Sequence, residues 1–108
     1  MAISLKQKIA KEMANLLANK VYSVVVYFTD GTSLNATTTN NTQFDEANNC
    51  YYANISFAIS LTTAKTISKI EFYDANNELL FIDNGNIADN LNAGDNYITR
   101  KLKITYTG

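Results

Sequence analysis

The chain lacks several residue types on which enzyme and metal sites usually depend. Its 108 residues include no histidine, no tryptophan, no proline and a single cysteine, Cys50. Without histidine, a serine or cysteine nucleophile has no ordinary base, and a structural zinc site lacks its usual ligands. A lone cysteine cannot close an internal disulfide. The sequence therefore predicts no catalytic residues, no bound metal and no cofactor.

Long apolar runs and glycine-rich loops are also missing. No stretch approaches the ~18 apolar residues of a membrane span, and residues 1–20 lack the continuous apolar core of a secretory signal. The four glycines are isolated from one another, so the chain has no phosphate-binding loop. We expect a protein that is made in the cytoplasm and forms one domain over residues 1–108, with a helix at 1–20 and strands from 21 to 108.

Two binding chemistries stay open at this level. Residues 83–90, "DNGNIADN", are an oxygen-rich cluster that could hold calcium, although they lack the glycine and glutamate of the twelve-residue calcium loop, and a plain connecting loop is the preferred interpretation. Tyrosines on polar faces could stack on sugars, or they could be ordinary cross-strand partners; the candidates are Tyr22, Tyr52 and Tyr73. The carboxylates fall mostly in predicted turns or at outward positions, where we expect them to be solvated.

Residues 1–20 have the pattern of an amphipathic helix. Ser4 and Gln7 form a capping box, which predicts a helix that starts at Leu5. This segment has a net charge of +3 and the rest of the chain −4. A basic helix can bind membranes or nucleic acid, but here no aromatic anchor or second basic cluster supports either partner, so we expect neither. Apolar residues recur at spacings of three and four: Leu5, Ile9, Met13, Leu16 and Leu17.

From Val21 onward the hydrophobic period becomes two, which predicts β-strands. We expect an edge strand within "TSLNATTT", an exposed loop over 39–49, a long strand over 51–61, a hairpin over 69–82 that turns at 74–77, a polar connection over 83–96 and a closing strand that begins near Ile98. This order predicts a mainly β fold, an antiparallel β-sandwich of immunoglobulin-like or jelly-roll type with one N-terminal amphipathic α-helix.

The strand "VYSVVVYF", residues 21–28, is apolar on both faces, so it requires a cover on each side. The amphipathic helix is the nearest candidate for the second cover, either on its own sheet or on a neighbouring subunit. We therefore predict a homo-oligomer, most simply a trimer, with the helix at the interface. The predicted interface residues are Leu5, Ile9, Met13, Leu16, Leu17, Tyr22, Val24 and Val26.

The motifs follow one another in a recognisable order. A helix that ends in "LLANKVYSVVVYFTDG" precedes "YYANISF", the hairpin "FYDANNELLF", the turn "AGDNY" and a closing "LKITYTG". In this order, which covers nearly the whole chain, they resemble a family of small virion proteins of tailed bacteriophages. Family members usually have a glycine-rich acidic loop before a Tyr-Ala-Arg triplet, whereas this chain has the asparagine-rich segment 39–49 and Tyr52-Ala53-Asn54.

The resemblance implies a function and a location. Members of the family are β-sandwich domains that are associated with capsids as auxiliary or decoration proteins, or with tails and fibres. It implies a non-enzymatic virion protein, most simply a capsid decoration subunit, that binds other virion proteins such as the major capsid protein. The alternatives are a head–tail connector or tail component, and a carbohydrate-binding module on a phage fibre.

Overall fold

The computed structural model describes residues 5–84 and 89–105. Within them, one helix precedes two antiparallel sheets, which confirms the predicted mainly β, sandwich-like fold with an N-terminal helix. The elements are α1 (Leu5–Lys20), β1 (Ser23–Phe28), β2 (Ser33–Thr37), β3 (Thr39–Asp45), a 3-10 helix (Glu46–Asn48), β4 (Cys50–Leu61), β5 (Lys65–Tyr73), β6 (Leu79–Asp83), β7 (Asp89–Leu91) and β8 (Gly94–Thr105).

The two sheets differ in size. Sheet A has the order β2-β1-β5-β6, and β7 also pairs with β5. Strand β6 pairs with the second half of β5 and β7 with the first half, so these two short strands share one edge of β5. Sheet B has the order β3-β4-β8. The predicted capping residue Ser4, positions 85–88 of the calcium candidate and Tyr106 lie outside the described residues.

The core lies between the inner faces of the two sheets. In sheet A the fully buried side chains include Val24, Val26 and Phe72, and the Phe72 ring stacks on that of Phe81 with 4.3 Å between centroids. In sheet B the predicted alternation of β4 is confirmed, since every second residue of the strand is buried. These residues are Tyr51, Ala53, Ile55, Phe57, Ile59 and Leu61.

The expectation that the helix covers the outer face of β1 within its own chain is wrong, and cover by a neighbouring subunit stays a prediction. Helix α1 packs against sheet B, mainly against β4 and β3, and not against the outer face of β1. Outward residues of β1 are half-buried by their neighbours within sheet A: Val25 lies between Asn35 and Glu71, and the Lys69 Nζ lies 4.5 Å from the ring centroid of Tyr27. Long side chains on adjacent strands therefore cover this face without a second layer.

Residues 39–49 are not the exposed loop that the sequence predicts. Seven of them form β3, which pairs along its whole length with β4, and a 3-10 turn follows. Asn40 stabilises this strand from its inner side, because its Nδ2 donates to the carbonyls of Ala18 at 2.9 Å and Val21 at 2.7 Å. Inside the predicted polar connection the structure has β7 and the first residues of β8.

The hairpin over residues 69–82 forms as predicted, with β5 antiparallel to β6. Its turn depends on Asp74, a residue that is 5% exposed and whose side chain accepts from the backbone N–H groups of Asn76 and Glu78, both at 2.9 Å. Asn77 has a φ of 60°, a left-handed conformation that asparagine tolerates better than most residues. The expectation that the carboxylates are solvated is therefore wrong for Asp74, which is an internal cap of the turn.

Candidate interaction surface

Helix α1 has an inner face made of small residues. Most of its sequence consists of strong helix formers, and Lys20 lies in the last turn, where a cation complements the helix dipole. Ala10 and Ala14 are buried against Tyr51 of β4, and Leu17 and Ala18 pack against the main core. Alanine side chains let the helix axis approach the sheet closely, so the helix covers the end of β4 that sheet A leaves open.

Polar contacts tether the helix along its length. Gln7 Nε2 donates to Asn49 Oδ1 at 2.9 Å, and the Lys11 ammonium pairs with the Glu46 carboxylate. At the other end, Asn40 binds the carbonyl of Ala18, one of the C-terminal carbonyls that has no partner within the helix. The helix is thus held in one orientation, and its outer face is a fixed surface.

The outer face of α1 carries the large apolar side chains. Leu5 is 73% exposed, Leu16 63%, Met13 49% and Ile9 47%. Spacings of four, four and three residues place these side chains in a continuous stripe. We call this stripe the helix face. It is a contiguous apolar surface on a rigid element, which is the usual form of a protein-binding site.

The predicted interface residues fall into three groups. Four of them form the helix face, and Tyr22, which precedes β1, is 55% exposed. Leu17 is partly buried against the main core. Val24 and Val26 have no exposed surface at all, so their assignment to an interface is wrong. They point between the sheets because the residues of β1 that are buried are the even-numbered ones.

A contact that the sequence did not predict closes one side of the sandwich. Arg100 shares the inner face of β8 with Ile98 and Leu102, and it reaches across to sheet A. Its Nε donates to Asp83 Oδ2 at 3.0 Å, and its Nη2 pairs with the Asp89 carboxylate. These are the two carboxylates that frame the calcium candidate at 83–90, and both bind the guanidinium instead. An arginine at an inward position of an apolar alternation is the signal that could have revealed the contact.

The outer face of sheet A contains one buried carboxylate. Glu71 is 9% exposed, and its Oε1 accepts from the Tyr73 hydroxyl at 2.9 Å. Hydrogen bonding from Tyr27 and Tyr73, together with Lys69 at 3.7 Å, holds the pKa of Glu71 below its ordinary value. The same bonds raise the pKa of both tyrosine hydroxyls. Glu71 therefore stays ionised and fixes these neighbours in place.

The three tyrosines considered for sugar stacking have different surroundings. Tyr73 is held by Glu71, and the Lys101 ammonium lies 5.6 Å from the ring centroid of Tyr52. Tyr22 is the most exposed of the three, but the structure does not bring the three rings together on one strand or face: Tyr52 belongs to sheet B, and Tyr73 to sheet A. The three rings therefore do not form one platform, and stacking of a sugar on a single ring stays untested.

Other functional features were sought in the part of the chain that the structure describes. No group of three or more acidic, cysteine or histidine side chains there is arranged to hold a metal ion. Over the same residues, no helix has the length and apolar character needed to cross a bilayer. Comparison with protein-family models, with curated proteins and with solved structures finds no match to this chain.

Proposed function

We propose that the chain is a non-enzymatic structural subunit of a bacteriophage virion, most simply a capsid decoration protein, and that it attaches to the shell through the helix face. The observation that carries this proposal is that the inner and outer faces of α1 carry apolar side chains of different size. Ala10 and Ala14 pack on the sheet, and Leu17 is partly buried against the core, whereas the other large apolar side chains of the helix face outward. These outward residues are Leu5, Ile9, Met13 and Leu16. A sequence that needed the helix only as a cover for its own core would place the larger side chains inward.

The free energy available from the helix face is sufficient for a specific contact. Full burial of one exposed leucine, isoleucine or methionine side chain contributes about 1.5–3 kcal/mol. The stripe has four such side chains that are about half to three-quarters exposed. Because the helix backbone is already tethered, docking has to order the exposed side chains but not the backbone. Repetition of this contact over a symmetric shell would add avidity if subunits also contact one another.

Charge indicates the kind of surface that the helix face fits. The exposed charged side chains beside the stripe include Lys8, Glu12 and Lys20, of which the Lys20 Nζ lies 3.9 Å from Asp74 Oδ2. Residues 1–20 carry a net +3. A partner with an apolar patch bordered by carboxylates complements this arrangement. We propose the major capsid protein as that partner. The alternative is a head–tail connector or tail component, and the number of copies per particle distinguishes it from a shell subunit.

Several described carboxylates support a structural role rather than a catalytic one. Asp83 and Asp89 bind Arg100, Asp74 caps a turn and Glu71 binds tyrosine hydroxyls. Each of these groups therefore already has a protein partner that explains its position. The proposal assigns no reaction to the chain.

The proposal is tested on particles produced by the phage that encodes the chain. Quantitative mass spectrometry of purified virions should find hundreds of copies per particle if the chain is a shell subunit. A connector would be present only in the few copies that form one small ring.

A second experiment tests the helix face. The double variant Leu5→Ser, Leu16→Ser should keep an unchanged circular-dichroism spectrum and should no longer attach to particles. Leu79→Ser is the matched control, because Leu79 is 48% exposed on β6 and lies outside the helix face.

Two results would contradict the proposal. Absence of the chain from purified virions removes the structural role altogether. Retention of the double variant on particles, with loss of the Leu79→Ser control, would move the contact away from the helix. Binding of the purified protein to a glycan array would instead favour the fibre-associated carbohydrate module.

A further inference from the structure

Strand β2 is an unprotected edge of sheet A. It pairs with β1 on one side, and no described strand pairs with its other side, although β2 also lies close to β4 of sheet B. Sheet edges in native proteins are usually protected by charged residues, proline or bulges, because a free edge can pair with another chain. Strand β2 has none of these protections: its sequence is "SLNAT", and no charged residue occurs from Gly31 to Phe44.

The other described edge strands differ from β2 in this respect. Strand β8 contains Arg100 and Lys101, and strands β6 and β7 contain Asp83 and Asp89. Strand β3 ends in Asp45 and lies against α1. Among the strands at the ends of the two sheets, β2 is therefore the one that carries no charged residue. Residues 57–61 of β4, with which β3 does not pair, also carry no charge, but they belong to the central strand of sheet B.

The hydrogen-bond pattern of β2 identifies the backbone groups that face outward. The N–H of Phe28 donates to the carbonyl of Thr32 at 2.9 Å, and the N–H of Thr38 donates to that of Tyr22 at 3.0 Å. Because bonded and non-bonded pairs alternate in an antiparallel ladder, Leu34 and Ala36 bond to β1. The N–H and C=O groups of the intervening residues point away from the sheet; these residues are Ser33, Asn35 and Thr37.

We propose that β2 pairs with β2 of a second copy of this chain, in an antiparallel register that places Asn35 opposite Asn35 of the second copy. In this register Ser33 lies opposite Thr37 of the other copy, so the outward groups of both strands form about six hydrogen bonds. Two copies of sheet A then become one continuous sheet across a two-fold axis. This interface is separate from the helix face and does not depend on the virion proposal.

The side chains in this register are complementary to themselves. On the outer face, an asparagine amide meets its own copy, and an amide supplies both a donor and an acceptor. Hydroxyl side chains form the flanking pairs, which are favourable cross-strand partners. On the inner face, Leu34, which is 37% exposed, lies opposite Ala36 of the second copy and gains cover. No like charges are brought together, since the segment has none.

The edge contact is tested by analytical ultracentrifugation at tens of micromolar, in the Leu5→Ser, Leu16→Ser background, which removes any association through the helix face. We expect this protein to sediment as a dimer. Adding Asn35→Pro should give a monomer with unchanged circular dichroism, because the lost N–H points outward and proline is tolerated on an edge. Ala36→Pro is the matched control: its lost N–H bonds to β1, so it should lower the melting temperature.

A charge exchange tests the register. Asn35→Lys and Asn35→Asp should each be monomeric alone, because like charges lie directly opposite at the two-fold axis. Their equimolar mixture should form a heterodimer that native mass spectrometry resolves by mass. A monomeric parent protein, a dimer or trimer that survives Asn35→Pro, or a mixture without heterodimer would each overturn the proposal. Pairing of β2 with a strand of another protein would also appear as a monomeric parent.

Discussion

Arg100 and Asp83 face each other across one side of the sandwich, with Nε of the arginine 3.0 Å from Oδ2 of the aspartate. The arginine comes from an edge strand of sheet B and the aspartate from an edge strand of sheet A. Asp89, at the start of β7, binds the same guanidinium. One planar group thus joins both halves of the interrupted edge β6–β7 to the opposite sheet, a geometry that lysine cannot reproduce.

The first prediction concerns this contact. Arg100→Met should lower the free energy of unfolding by about 1–3 kcal/mol, because hydrogen bonds to two carboxylates are lost and both acids stay partly buried. Urea denaturation measures the change. Lys101→Met is the control on the same strand, since Lys101 is exposed and points to the outer face. Equal losses in the two variants would show that the bridge between the sheets contributes nothing specific.

The second prediction concerns acid stability. Two hydrogen bonds from Thr32, to Asp30 Oδ1, and the ammonium of Lys65 lower the pKa of Asp30 from 3.8 to about 2. A carboxylate with a depressed folded-state pKa stabilises the protein above its unfolded-state pKa and loses that contribution as the pH falls through the folded value. The advantage of the wild type over Asp30→Asn should therefore be constant above about pH 5 and shrink between about pH 4 and pH 2.

Urea denaturation at each pH measures this difference, and the comparison of the two proteins cancels the effect of other carboxylates such as Glu71. If the difference keeps the same value down to pH 2, the contacts of Asp30 with Thr32 and Lys65 do not stabilise its charged form. A difference that grows on acidification would be the wrong sign for a depressed pKa.

The strands that could be predicted from the sequence are those in which apolar and polar side chains alternate. Strand β4 could be predicted because large apolar residues occupy every second position. Strand β3 could not, because its seven residues are nearly all polar and because Asn40 donates inward to the carbonyls of Ala18 and Val21, contacts that no local pattern reveals. The same applies to Arg100, whose inward direction becomes meaningful only when Asp83 and Asp89 are placed opposite it.

The helix shows a different limit. Its amphipathic character was predictable from the spacing of its apolar residues. The face that packs was not, because a hydrophobicity pattern favours leucine over alanine, whereas close approach to a sheet favours the smaller side chain. The helix face was thus identified correctly as apolar, but its orientation relative to the sheet required the structure.

The third prediction tests that orientation. Ala14 is fully buried against sheet B, so Ala14→Leu should overpack the contact and lower the free energy of unfolding by about 1–3 kcal/mol. Leu16→Ala should change it by less than about 0.5 kcal/mol, because Leu16 is mostly exposed. Thermal unfolding of each variant beside the wild-type protein compares the two. If the leucine substitution were harmless and the alanine substitution costly, the helix would pack through its other face.

The last prediction concerns the residue beneath the helix. Tyr51 is completely buried under Ala10 and Ala14, and its ring meets that of Phe44 edge to face at 5.7 Å. Its hydroxyl has no hydrogen-bond partner among the described residues. A buried, unsatisfied hydroxyl costs about 1–3 kcal/mol. Tyr51→Phe keeps the ring contacts and removes this cost, so it should raise the free energy of unfolding.

The matched variant Tyr51→Leu removes the ring as well and should lower the free energy of unfolding by about 1–3 kcal/mol, because the space under the helix is then poorly filled. Urea denaturation of the two variants separates the contribution of the hydroxyl from that of the ring. A loss of stability in Tyr51→Phe would mean that the hydroxyl is satisfied in solution by water or by another part of the chain. In that case the Tyr51 hydroxyl would help to anchor the helix. The helix would then be attached to the end of β4 by a polar contact as well as by the close packing of Ala10 and Ala14.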